Sequence, residues 1–219
     1  MKYSFPTLAL LSALFMGCAA ETVEDSVATP AADNALQDAE NHDAAGHDDH
    51  DHGDHDMAAA AESFALNGEN TQVLFTGTKT SGDNHSGGFK TLSGNVAITA
   101  GKITGINVVI QTDSLFSDDE RLTGHLKNED FFSAPEFPEL KFASTKVEGD
   151  GELTVTGTLT MHGQTGEVSF PTKATVADGK VNLTSEFKVD RTKFGMNYTG
   201  KPDDPINADV DIKIIVGGE

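Results

Sequence analysis

Between Gly151 and Gly163 the chain reads GELTVTGTLTMHG, and this alternation constrains the fold more than any other feature. Leu153, Val155, Gly157, Leu159 and Met161 fall on one face of an extended strand, and Thr154, Thr156, Thr158, Thr160 and His162 on the other. A helix cannot separate the two sets, so the stretch is a strand with one buried face. The same texture predicts strands over Gln72–Lys79, Phe89–Thr99, Lys102–Asp113, Glu139–Val147, Gly166–Val176, Lys180–Val189 and Ala208–Val216. Ala100-Gly101, Asp150-Gly151, His162-Gly163 and Asp178-Gly179 supply turn residues suited to tight hairpins. About eight strands without βα alternation predict an all-β, antiparallel barrel, since closure removes exposed edges. Ile106, Val108 and Ile110 share parity, as do Leu140 and Phe142, Val168 and Phe170, Leu183 and Phe187, and Val210, Ile212 and Ile214. One apolar face therefore runs round the barrel, and residues 62–219 are long enough for a single core.

One stretch breaks the pattern. Ser114–Thr145 reads SLFSDDERLTGHLKNEDFFSAPEFPELKFAST. Ser117-Asp118-Asp119-Glu120 makes a helix start with acidic residues at the positive end of the dipole. Leu122, His125, Leu126 and Phe132 are expected on one helical face, with Phe131 reaching the same pocket, and Pro135 and Pro138 are expected to stop the helix. The segment reads as a lid on one mouth of the barrel.

The N-terminal quarter has a different composition. Lys2 and the apolar run Leu8–Met16 resemble a signal peptide, being shorter than the about 20 apolar residues a membrane span needs. The run ends at Gly17-Cys18, and Cys18 is the only cysteine, so residues 1–18 read as a signal peptide ending at a lipidated Cys18. Simple cleavage near Ala20 is the alternative. Residues 19–61 hold 12 of the chain's 35 acidic side chains and almost no branched or aromatic residue, which predicts a disordered tether. Within it lies HDAAGHDDHDHGDHD, where His42, His47, His50, His52 and His55 alternate with carboxylates. Imidazole and carboxylate suit Zn²⁺ or Cu²⁺, though a flexible chain orders itself at an entropic cost and should bind modestly. A merely hydrophilic acidic linker is the bland alternative. Only Lys2 of the 15 basic residues precedes Lys79, and residues 62–219 carry 23 acidic against 14 basic side chains, a net charge of −9. Such a balance excludes nucleic acid as a partner, because phosphate binding needs a basic footprint.

The Ser114–Thr145 segment resembles the signature of the YceI-like family. Four further stretches carry the resemblance in the same order: FTGTKTSGDNHSGGFKTLSGNV (Phe75–Val96), ITGINVVIQTDSL (Ile103–Leu115), LTVTGTLTMHGQTGEVSFP (Leu153–Pro171) and FKVDRTKFGMNYTGKPDDPINADVDIKIIV (Phe187–Val216). After Asp119 the chain departs from the commonest pattern, which has an Arg-Asp pair two residues before a His-Leu; here Arg121-Leu122-Thr123-Gly124-His125-Leu126 stands instead. The resemblance implies a lipocalin-like barrel that holds a long isoprenoid or similar amphipathic lipid without catalysis. It implies an exported protein facing the periplasm and is compatible with a homodimer; Ala19 after Cys18, where an Asp often marks inner-membrane retention, favours a lipid anchor at the outer membrane rather than the inner. Candidate cavity residues are Phe75, Phe89, Ile106, Val108, Ile110, Leu115, Phe116, Leu126, Phe131, Phe132, Phe142, Met161, Phe170 and Phe187, which either line a hollow or fill it. Arg121, His125, Lys127 and Arg191 are the candidate head-group contacts. His85 and His162 read as turn or strand-face residues.

Catalysis finds no support in the residues. The chain has no nucleophile elbow, no HExxH, no phosphate loop, and no Ser or Cys with an evident base. Two readings from different classes remain: a lipid-binding barrel, and an envelope protein whose His/Asp-rich tether collects Zn or Cu.

Overall fold

The computed structural model of the chain describes residues 61–217. The expectations for residues 1–60, namely the signal peptide, lipidated Cys18, the tether and its metal-binding histidines, lie outside the described residues. Twelve strands form one antiparallel sheet, and three pairs of them are single long strands broken by a bend. β1 (Ala61–Asn67) and β2 (Thr71–Lys79) make the first, β3 (Asn84–Phe89) and β4 (Leu92–Thr99) the second, and β5 (Lys102–Gln111) and β6 (Leu115–Ser117) the third. Their registers prove the continuity. Asn67 of β1 lies opposite Ser93 of β4, and beyond the bend Val73 of β2 lies opposite Phe89 of β3. Likewise Leu92 faces Ile110 below the bend and Phe89 faces Leu115 above it. At the bend a Cβ on Gly68 would stand 2.4 Å from the Lys90 carbonyl oxygen, so only glycine lets the two chains approach there.

Five more strands complete the ring: β7 (Glu139–Asp150), β8 (Glu152–Met161), β9 (Gln164–Ala177), β10 (Lys180–Asp190) and β12 (Asp204–Val216). β12 pairs with β2, placing Val216 opposite Thr71, and closes a barrel of eight staves. β11 (Gly200–Lys201) forms a small ribbon on the start of β12. The hairpin turns follow the sequence signals. Ala100-Gly101, His162-Gly163 and Asp178-Gly179 each place both residues at positive φ, the geometry whose twist matches flanking strands. At the fourth turn Gly149 and Gly151 take positive φ in place of Asp150.

The short helix α1 (Glu120–Leu126) begins where expected. Its N-cap is Asp119, whose carboxylate accepts from the Leu122 amide at 2.9 Å. It does not run to the prolines. The chain leaves the helix at Lys127 and folds a compact turn in which the amides of Phe131 and Ser133 donate to the Asn128 carbonyl. Phe131 and Phe132 are therefore carried by that turn and not by a helical face. Pro135 and Pro138 lie in the connection to β7.

Side chains fill the barrel unevenly. At the end away from α1, Val96, Val155 and Val181 are fully buried and pack with Leu66, Ile98 and Ile103. A second cluster sits under α1 and contains Leu115, Leu126, Phe131, Met161, Phe194 and Met196. Between the two, the interior is hollow.

Candidate functional site: an apolar cavity within the barrel

The hollow has a volume of about 340 Å³. Its wall is built by strand parity. Val73 and Phe75 come from β2, Ile106, Val108 and Ile110 from β5, Leu140 and Phe142 from β7, Val168 and Phe170 from β9, and Ile212 and Ile214 from β12. Leu122, Leu126, Phe131 and Phe132 close the end beneath α1. The volume lies at the low end of the roughly 300–1,000 Å³ usual for small-molecule sites. Three rings run in sequence along one wall: Phe142 and Phe170 have centroids 5.5 Å apart, and Phe170 and Phe187 stack at 4.2 Å with an 8° interplanar angle. Gly157 makes room for the first of them, since a Cβ there would meet the Phe142 ring at 2.6 Å.

Twelve of the fourteen sequence-predicted cavity residues line this hollow: Phe75, Phe89, Ile106, Val108, Ile110, Leu126, Phe131, Phe132, Phe142, Met161, Phe170 and Phe187. The other two lie off its wall. Leu115 is buried in the cluster under α1, behind the lining. Phe116 follows it with opposite parity, so its ring lies on the outer face over Gly88, with the Lys90 ammonium 5.6 Å from the ring centroid.

The predicted head-group residues divide the same way. Arg121 is exposed on α1. Lys127 turns away from the interior and donates to the Asp113 carbonyl at 2.6 Å. His125 points outward, bonded to Asp130 at 2.9 Å and packed edge-on against Phe131 and Tyr198. Helical geometry separates these three from the inward-facing Leu122 and Leu126. Arg191 does reach the cavity wall. It is 5% exposed, and its guanidinium donates to the carbonyls of Asn207, Met196 and Ile206. Burial pushes its pKa down, with Asp190 opposing that shift.

Other polar groups on the wall were legible only through parity. Lys79 shares parity with Val73, Phe75 and Gly77, and His85 with Gly87 and Phe89; both line the cavity at the β2–β3 end. Lys79 pairs with Asp204 at 3.5 Å, and His85 bonds Asp118 at 2.9 Å. The Ser86 amide, and after it His85, hold the Asp118 carboxyl below its usual value. These side chains are partly exposed, so this end is where the hollow meets water. A broader groove of about 760 Å³ lies on the outer wall, edged by the ion pairs Lys188–Asp211 and Lys213–Glu186. This groove is more open than the hollow, and charged side chains rim it. Among the described residues, no three His, Cys, Asp or Glu side chains gather in a way that would hold a metal ion.

A closed antiparallel barrel with an apolar interior and a partly polar mouth defines a lipocalin-like β-barrel. The chain belongs to the YceI-like family, whose domain model matches residues 64–216. A UPF0312 protein from Pseudomonas putida strain GB-1 is 32% identical over 139 residues, covering 58% of this chain and 71% of that protein. A UPF0312 protein from Pseudomonas syringae pv. tomato is 41% identical over 83 residues, 36% of this chain and 43% of that protein. Among solved structures, Burkholderia cenocepacia BcnA superposes with a TM-score of 0.61 at 21% identity, covering 68% of this chain and 96% of that one. A polyisoprenoid binding domain from Saccharophagus degradans, implicated in plant cell wall breakdown, superposes with a TM-score of 0.55 at 14% identity, covering 71% and 98%.

Proposed function

We propose that the barrel binds one long isoprenoid-type or similar amphipathic lipid, non-catalytically, with its chain in the hollow and its head group at the β2–β3 end. The carrying observation is the apolar cavity of about 340 Å³, walled by aliphatic and aromatic side chains contributed from the staves and from α1. Each methylene buried there contributes about 0.8 kcal/mol, so a chain alone supplies affinity with few polar contacts. Membership of the YceI-like family supports the reading, as does the fold shared with a polyisoprenoid binding domain. Lys79, His85 and Arg191 are the basic groups on the wall and the natural partners for a phosphate or carbonyl head.

The rest of the proposal concerns residues 1–60. A lipid on Cys18 and the acidic tether would hold the barrel in the periplasm near the outer membrane. The His42–His55 run is proposed to take Zn²⁺ or Cu²⁺ independently of the barrel; equal metal uptake by the full chain and by residues 62–219 would remove that role. The lipid reading is tested by titrating prenyl alcohols of increasing length into the purified protein. Affinity should rise with each isoprene unit until the cavity is full and then level off. An affinity that ignores chain length would contradict it.

A further inference from the structure

We propose that the upper seam between β9 and β10 is a lateral portal, gated by Phe170 and Phe187, through which an apolar chain slides into the cavity. This rests on the lipid reading above. β9 and β10 are paired only from Lys173–Thr184 to Ala177–Lys180. Above that, β9 continues to pair with β8 as far as Gln164, and β10 continues along β12 as far as Asp190. Residues 164–172 and 185–190 thus face each other with no backbone ladder between them. A second seam also parts in register, β5 from β7 beyond Asn107–Ala143, but it lies at the packed end of the barrel, where Ile103 and Ile106 are buried in the core and the Ile106 amide donates to Ser144 Oγ.

Side chains alone bridge the gap. Extending the register puts Thr172 opposite Ser185, and their hydroxyls meet at 2.7 Å, fully buried, at the fork. The next inward pair is Phe170 and Phe187, the stacked rings 4.2 Å apart. At the top, His162 Nδ1 meets the Phe194 carbonyl at 3.1 Å, and the Phe194 ring covers Gly166. Pro171 stands just past the last paired residue of β9, and a proline has no amide to offer a partner, which suits a strand left unpaired on one side. Across a laddered seam, passage through the wall would break a row of backbone hydrogen bonds. Here it needs two rings to swing aside, a rotamer change on the scale of ordinary side-chain motion. Beneath α1 the way is blocked by buried Leu126 and Phe131. A slot running down from the mouth lets the head group stay in polar surroundings while the chain moves sideways, so no charge crosses the apolar interior.

The test uses the full-length chain with Cys18→Ser and an outward-facing cysteine pair, Ser169→Cys with Lys188→Cys, which continues the register across the gap. A fluorescent geranylgeranyl probe is loaded, and its release to vesicles is timed with the two thiols free and again when joined by a short dithiol linker. Joining should slow release about tenfold or more while leaving the amount bound at equilibrium unchanged. In a linker-free comparison, Phe187→Ala should speed release, and Leu115→Ala, which loosens the cluster under α1 from behind the lining, should not. Release indifferent to the linker, or hastened by Leu115→Ala and not by Phe187→Ala, overturns the portal and leaves the lipid reading standing. A protein that takes up no probe in any form overturns both.

Discussion

Arg191 is the one charged side chain fully buried among the described residues. Its planar fork ties the irregular start of β12 to the chain after β10, because Asn207 and Ile206 flank the register shift between Ile206 and Val210. Arg191→Met would leave three carbonyls without their donor, and chemical denaturation should show a loss of about 3 kcal/mol or more. Arg191→Lys should recover little of it, since an ammonium cannot span the same geometry. Small residues matter as much where chains nearly touch. A Cβ on Gly87 would lie 2.3 Å from the Phe116 carbonyl oxygen and 2.5 Å from the Phe75 ring, so Gly87→Ala should cost about 1–3 kcal/mol by overpacking. Carboxylates set the acid limit. Asp118 is held down by the Ser86 amide, Asp204 by the Ser81 amide, Asp190 by the Thr192 hydroxyl, Glu139 by Lys141 and Glu186 by Lys213. Each has a folded pKa below its unfolded one. The stability they contribute is therefore full above the unfolded carboxylate range of about 4 and is lost as pH falls through the folded values. The melting temperature should be flat through neutrality and drop below about pH 4; a decline beginning near pH 6 would mean that other groups control it.

At the scale of elements, α1 shows how a short helix is held. Seven residues are too few to be stable in water alone, so the Asp119 cap and the burial of Leu126 must hold it. Asp119→Ala should cost about 1 kcal/mol and raise amide exchange across Glu120–Leu126 before any change in the strands. The strands from β7 to β10 and β12 were readable because alternation and turn residues agree along them. β1, with only Phe64 and Leu66 to mark it, was not. Nor was the division of the Phe89–Thr99 stretch, whose bend at Lys90-Thr91 depends on Gly68 from another stave. The cavity wall was legible through parity, which explains why Ile106, Val108 and Ile110 read correctly. The same parity carried Lys79 and His85 inward, but His85 sits among turn residues and read as one, and the charge of Lys79 gave no sign of an inward place. Arg121, His125 and Lys127 misled for the converse reason: the lid segment was readable, but which side of a two-turn helix faces inward depends on where it docks.

For the whole molecule, eight staves leave a choice between a filled and a hollow interior, and this chain uses both, with a hollow held between two packed clusters. Filling the hollow should separate folding from binding. Leu159→Trp, directed into the cavity from β8, should keep the barrel folded by circular dichroism while abolishing uptake of a prenyl alcohol. Native mass spectrometry of the protein purified gently from its own cells tests the central claim most directly. The account predicts a peak heavier than the bare chain by one apolar molecule, which solvent extraction removes and a supplied prenyl lipid restores. A single peak at the mass of the processed chain, unchanged after incubation with that lipid, would contradict it.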